Sequence, residues 1–117
     1  MSSQGLNVVD RIFELHDDIR HVVIVNSMGQ VVRIASRAKV TWPEDLIRQF
    51  SGLMAAVVLG VSEKVQNIVG NIEYLMISYE KSYVILLRSK EFIFIVSARK
   101  TMPSEILRKL ASLLSGR

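Results

Sequence analysis

The sequence predicts an α/β (α+β) fold: a three-layer sandwich around a five-stranded antiparallel sheet, with elements in the order αββαβββα. Three observations lead there. Five short runs with strand character are separated by tight turns, and three segments carry apolar residues at helical spacing. Runs such as Val22-Val23-Ile24-Val25 and Phe92-Ile93-Phe94-Ile95-Val96 are apolar without alternation, so both faces of their strands need cover. Helices must then lie on both sides of the sheet, the two terminal ones sharing one face and the central one alone on the other.

The first helix is expected from a cap at Ser3 to about His16. Leu6, Val8, Val9, Ile12, Phe13 and Leu15 share its inner side, opposite Asn7, Asp10, Arg11, Glu14, Asp17 and Asp18. A hairpin follows, with strands at 19–26 and 30–36 and a turn at Ser27-Met28-Gly29, where glycine is free to take positive φ. Thr41-Trp42-Pro43-Glu44 has capping-box spacing, with Pro43 suited to the first turn of the central helix. That helix is read over 44–65, ending before Gly70. Three strands at 72–80, 82–88 and 91–98 form a meander, the first of them mixed in character as an edge strand would be. A last helix begins near Thr101, helped by Pro103. Met102, Ile106, Leu107, Leu110, Leu113 and Leu114 make its stripe, and Gly116 stops it.

The central helix is the unusual element. Its expected core stripe is Leu46, Ile47, Phe50, Leu53, Met54, Val57, Val58 and Val61. The other side carries Gly52, Ala55, Ala56, Leu59 and Gly60, small and apolar where a surface helix is normally polar. Gly52, Ala56 and Gly60 recur at i, i+4 and allow another backbone to approach. A second copy of the same helix is the simplest cover, which makes these five residues a candidate dimer interface.

The 117 residues are read as a single domain, 1–117, long enough to bury a core. Half of the chain is hydrophobic and 22% is charged, at the apolar edge for a globular domain, which also suggests a buried interface. Cysteine is absent, which excludes disulfides, thiolate metal sites and cysteine nucleophiles and fits a reducing compartment. The net charge of +4 arises from fifteen basic residues spread among eleven acids, more a solubility feature than an anion-binding patch. The N-terminal residues lack a signal-peptide pattern, and the apolar run at 53–61 is shorter than the ~20 residues of a membrane span. The expectation is a cytoplasmic protein without a transmembrane segment.

Little in the sequence points to chemistry. His16, Asp17, Asp18 and His21 have metal-binding side chains, but helix and strand give them no common facet, so no metal is expected. No serine sits in a nucleophile turn, no glycine-rich loop cradles phosphate, and Asp17-Asp18 and Glu44-Asp45 read as helix-end charges. No catalytic residue and no cofactor are assigned. Arg33, Arg37 and Lys39 with Tyr74, Tyr79 and Tyr83 would suit single-stranded nucleic acid only if they shared an exposed surface; an RNA-binding signature is missing. Trp42 is read as a clamp on the helix start.

The hairpin Ile19-Arg20-His21-Val22-Val23-Ile24-Val25-Asn26-Ser27-Met28-Gly29-Gln30-Val31-Val32 resembles the opening hairpin of the Roadblock family, the dynein-light-chain type. The alanine-containing apolar helix, the meander and the terminal helix are similar too, so the resemblance covers the chain from about Leu6. Asp18-Ile19-Arg20 departs from it, replacing a glycine common before the first strand. The resemblance implies a profilin-like sandwich that forms homodimers or heterodimers through its central helices. It also implies pairing of the strand after that helix, here through Glu73, Leu75 and Ile77. Members serve as scaffolds and regulators, often of small Ras-like GTPases or motor complexes. The runner-up expectation is a ligand-sensing domain of the same layout, with a small molecule between sheet and helix.

Overall fold

The computed structural model describes the backbone of residues 2–115 and the side chains of residues 8–115. The expected cap at Ser3, the side chains of Leu6 and Asn7, and the stop at Gly116 lie outside the described side chains. The elements are α1 (Ser2–Leu15), β1 (Ile19–Val25), β2 (Val31–Ser36), α2 (Glu44–Val69), β3 (Leu75–Ser78), β4 (Ser82–Ser89), β5 (Phe92–Arg99) and α3 (Glu105–Leu114). The order αββαβββα is as expected. All strand pairs are antiparallel, in the spatial order β2-β1-β5-β4-β3.

That order explains the layers. α1 leads into β1 and α3 leaves β5, the two strands at the middle of the sheet, so both helices fold back over one face. α2 must travel from one sheet edge, β2, to the other, β3, and it does so across the opposite face. Two apolar clusters result. Val9 and Ile12 of α1 and Ile106, Leu107 and Leu110 of α3 pack on Val22, Ile85 and Val96. Ile47, Ala55 and Val58 of α2 pack on Val23, Val84, Leu86 and Ile95. Successive residues of β4 and β5 thus enter opposite cores, which is why those runs are apolar without a break.

Several local expectations are corrected. The hairpin turn is organised by Asn26, whose Oδ1 accepts from the amides of Met28 (2.9 Å) and Gln30 (3.0 Å). Gly29 sits at φ +82°, and its carbonyl oxygen lies 3.5 Å from where a Cβ on Gly52 would stand, so α2 is seated closely on the turn. Pro43 occupies the N-cap rather than the first turn, and no side-chain cap forms at α2; the expected capping box is absent. Glu44 and Asp45 in the first turn and the Arg48–Glu44 pair at 2.8 Å support that end instead. At the other end α2 runs beyond the expected Val65 to Val69, and Gly70 at φ +89° ends it. β3 is four residues long rather than nine, because its ladder with β4 begins only at Leu75–Leu86.

Charged side chains tie the end of α1 to the sheet. The Arg37 guanidinium donates to the carbonyls of Phe13, His16 and Ile19, and lies 4.7 Å from the Phe13 ring centre. It therefore caps the C-terminus of α1, where cations are favoured, rather than belonging to a free basic edge. Asp18, nearly buried, accepts from Thr101 Oγ1 at 2.7 Å and pairs with Arg99 at 3.4 Å, joining the start of β1 to the end of β5. The Thr101 hydrogen bond holds the Asp18 carboxyl below its ordinary value of 3.8; burial opposes this, and His16 and Arg99 assist.

Two outcomes follow. Gly29→Val forces a β-branched residue to positive φ and is expected to destabilise the fold by ~1–3 kcal/mol in urea denaturation. A carboxyl whose folded pKa is depressed stabilises above its unfolded value and loses that contribution as pH falls through the lower folded value. Stability should therefore decline with acidification below pH 3.8, and Asp18→Asn should lower stability at neutral pH while flattening that acid limb, as read by thermal melts across pH.

Candidate interaction surface

α2 positions the candidate surface. Ile47, Ser51, Ala55, Val58 and Ser62, spaced four, four, three and four residues apart, are its buried residues. They define an inner line that lies on the sheet, with Phe50, Met54 and Leu59 filling its flanks. The inner line is rotated by about a quarter turn from the expected one. Ala55, expected on the outer face, is 1% exposed and belongs to the core. Leu53 and Val57, expected inside, face outward, Leu53 at 64% exposure. The reason is steric. The sheet presents large side chains to α2, and small residues at Ser51, Ala55 and Ser62 let the helix settle close to them. Apart from Ile47 and Val58, the larger side chains are then displaced to the sides and back of the helix.

The outward stripe consists of Leu46, Leu53, Val57, Val61 and Ile68, all exposed, with Ala56 and Gly60 among them. It is symmetric along the helix: Leu46 and Ile68 are equally distant in sequence from Val57, and so are Leu53 and Val61. A stripe with that symmetry is self-complementary to an antiparallel copy centred on Val57. Of the expected helix residues, Ala56 and Gly60 lie on this face. Gly52 is half-buried against the hairpin turn, and Leu59 packs into the α2-side core.

β3 lies at the sheet edge, hydrogen-bonded to β4 alone, so its outer backbone is unpaired among the described residues. Leu75 and Ile77 point toward α2 and pack into its cluster, while Glu73 lies before the strand, exposed.

Other residues singled out in the sequence are dispersed. His16 Nδ1 accepts from the Asp18 amide at 3.0 Å, whereas His21 sits in β1 with Nδ1 2.7 Å from Ser97 Oγ; the four metal-type residues do not converge. Burial, with Arg20 second, pushes the His21 imidazole below its ordinary value of 6.5 and keeps it neutral. Tyr83 packs against the α1/α3-side core beneath Lys100, and the sheet order sets β2, which carries Arg33, at the edge opposite β3. Trp42 meets Phe50 edge to face at 5.3 Å, clamping the loop to the start of α2. The length argument against a membrane span does not hold for α2, which is 26 residues long with mean hydropathy 1.3 in its most apolar window. Its packed inner line shows that it serves as a layer of this domain.

Comparison with known proteins agrees with this architecture. The Roadblock/LC7 domain family matches residues 6–98. The chain is similar to the gliding protein MglB of Thermus thermophilus, at 10% identity and TM-score 0.68, covering 98% of this chain and 91% of that one. It is similar to Myxococcus xanthus MglB, at 14% identity and TM-score 0.69, covering 94% and 90%. A Loki profilin solved with rabbit actin is also similar, at 12% identity and TM-score 0.62, covering 99% and 96%. At these identities the likeness is one of fold. No curated protein sequence matches the chain. The family match over most of the sequence, on a sandwich with profilin-like neighbours, establishes that the chain belongs to the Roadblock/LC7 family.

Proposed function

We propose that this chain is a non-enzymatic dimerisation and scaffold module, acting in the cytoplasm as a regulator of a small Ras-like GTPase. The observation that carries the dimer is the apolar stripe on the back of α2, symmetric about Val57 and left uncovered by the described residues of its own chain. Pairing two such helices antiparallel would bring Leu53 of one copy against Val61 of the other, with Ala56 and Gly60 allowing close approach. The unpaired outer edge of β3 would then lie near its counterpart, where Leu75 and Ile77 back the junction from within and Glu73 flanks it. The stripe also accounts for the high apolar content of the chain, since burying it removes side chains such as Ile68, 83% exposed, from water. Family membership supports a role in protein–protein interaction, and one of the similar structures is described as MglB in a tetrameric arrangement. The GTPase part of the reading rests on the family.

The dimer is tested by light scattering across a dilution series. The wild-type chain is expected at twice its 13.2 kDa mass. Ala56→Arg should give a folded monomer, because a buried unpaired charge costs several kcal/mol. Val57→Asp should do the same, placing two like charges at the two-fold axis. Ala55→Arg should instead lose the fold, since that side chain faces the sheet. A dimer unchanged by Ala56→Arg and Val57→Asp would refute this interface. The regulatory reading predicts a complex with a Ras-like GTPase in one nucleotide state and not the other, measured by the same method.

A further inference from the structure

A second feature of the α2 side has no part in the dimer. At the N-terminal end of α2, a cavity of about 310 Å³ opens between the helix, the 38–42 loop and the sheet. Its floor is Val23, Val84 and Ile95 from three neighbouring strands, and Ile47, Phe50 and Trp42 stand over it. None of these six belongs to the outward stripe of α2. The volume lies at the lower end of the range for ligand sites, enough for one large apolar side chain. A hollow of that size and lining is the usual seat of an anchor residue from a partner.

The lip of the pocket is main chain. Residues 38–42 run along it between β2 and α2 without regular structure, with Val40 exposed. The Ala38 amide donates to Ser36 Oγ, but the amides of Lys39, Val40, Thr41 and Trp42 make no hydrogen bond among the described residues. A peptide laid along such a segment exchanges main-chain hydrogen bonds with it while one side chain enters the hollow. A bilayer offers no side chain to a concave slot, and a free small molecule would leave the lip unused.

The charge around the mouth sets the sign of the peptide. Arg20, Lys81 and Arg99 line the pocket, and no carboxylate does among the described residues. Arg20 is placed by an irregularity: β1 shifts register against β5 between Ile19, opposite Ala98, and His21, opposite Ser97. Its guanidinium donates to the Arg37 carbonyl at 2.6 Å and so is held at the root of the loop. Asp17 and Asp18 partly answer the two arginines: Asp17 lies 3.9 Å from Arg20, and the two carboxylates reach Arg99 at 3.6 and 3.4 Å. Lys39 and Lys81 are exposed and make no ion pair among the described residues, and together they outweigh Glu80, the exposed carboxylate next to Lys81 in the chain. The mouth therefore stays cationic, complementary to an acidic segment. We infer that this pocket docks an acidic peptide segment of a partner protein, extended along the 38–42 loop, with one phenylalanine or leucine side chain seated between Trp42, Phe50 and the sheet.

The chain has one tryptophan, and Trp42 stands at the pocket, so its emission reports occupancy. The probes are blocked heptapeptides titrated into the native protein: three acidic residues on each side of a central phenylalanine, the same with leucine, and the same with alanine. A fourth keeps the phenylalanine and replaces every acid by its amide. A saturable change in Trp42 emission below millimolar concentration is expected with the phenylalanine or leucine peptide. The alanine peptide should bind about tenfold more weakly or worse. The amide peptide should bind severalfold more weakly and lose most of the salt dependence. Lys81→Glu, at an exposed position, should weaken the phenylalanine peptide about tenfold. In the wild-type protein, the NMR signals of the 39–42 amides should move on binding, which reads the lip contact without any substitution. Phosphatidylserine vesicles should leave Trp42 emission unchanged. No saturable change with either apolar peptide, equal binding of the alanine or the amide peptide, unchanged affinity in Lys81→Glu, unmoved loop amides at saturation, or a response to the vesicles each overturns the proposal. None of these readouts depends on the mass of the protein in solution, so the fate of the dimer reading does not decide this one.

Discussion

Both faces of the central sheet are apolar, and neither can remain in water. Everything else in the architecture answers that constraint. The middle strands β1 and β5 are adjacent to the chain's terminal helices in sequence, so α1 and α3 reach one face by short connections. The other face lies under the only segment that must travel between the two sheet edges. α2 is long because the sheet is wide: it joins β2 at one edge to β3 at the other.

The same constraint shapes the side chains of α2. A helix lying close against a sheet of Val, Ile and Leu has room beneath it for Ser51, Ala55 and Ser62, not for more bulk. Bulk that a helix of this apolarity carries must then go outward, and it does so as Leu46, Leu53, Val57, Val61 and Ile68. Ser51, Ala55 and Ser62 thus serve the fold beside Ile47 and Val58, and the five exposed large residues are left available for association. The usual assumption that large residues face the core and small ones permit helix pairing holds here only for Ala56 and Gly60.

The charged groups near the start of β1 serve two ends. Arg37, Asp18 and Arg99 satisfy the end of α1 and join β1 to the β5–α3 junction, so much of the positive charge in this region is already engaged. The register shift beside Arg20 falls between this polar cluster and the regular ladder of β1. Its effect is to send Ile19 to one core and His21 toward the other side, where His21 is one of the residues that line a pocket at the start of α2.

The sequence by itself determined the element types and their order, the hairpin turn at Gly29, the end of α2 before Gly70 and the need for helices on both faces. These follow from local properties: runs apolar on both faces, helical spacing, and backbone positions that only certain residues tolerate. It also showed that α2 carries more apolar surface than one core can use. Which side of α2 is which was a matter for the tertiary structure. Two apolar faces on one helix merge into a single broad arc on a helical wheel, and its centre coincides with neither. The length of β3 was likewise decided by its ladder with β4, since strand character at Ile72 and Tyr74 does not supply a partner. The pocket beside His21 left no trace in the sequence, because a single shift of register is a property of two paired strands, and no residue pattern in either one announces it.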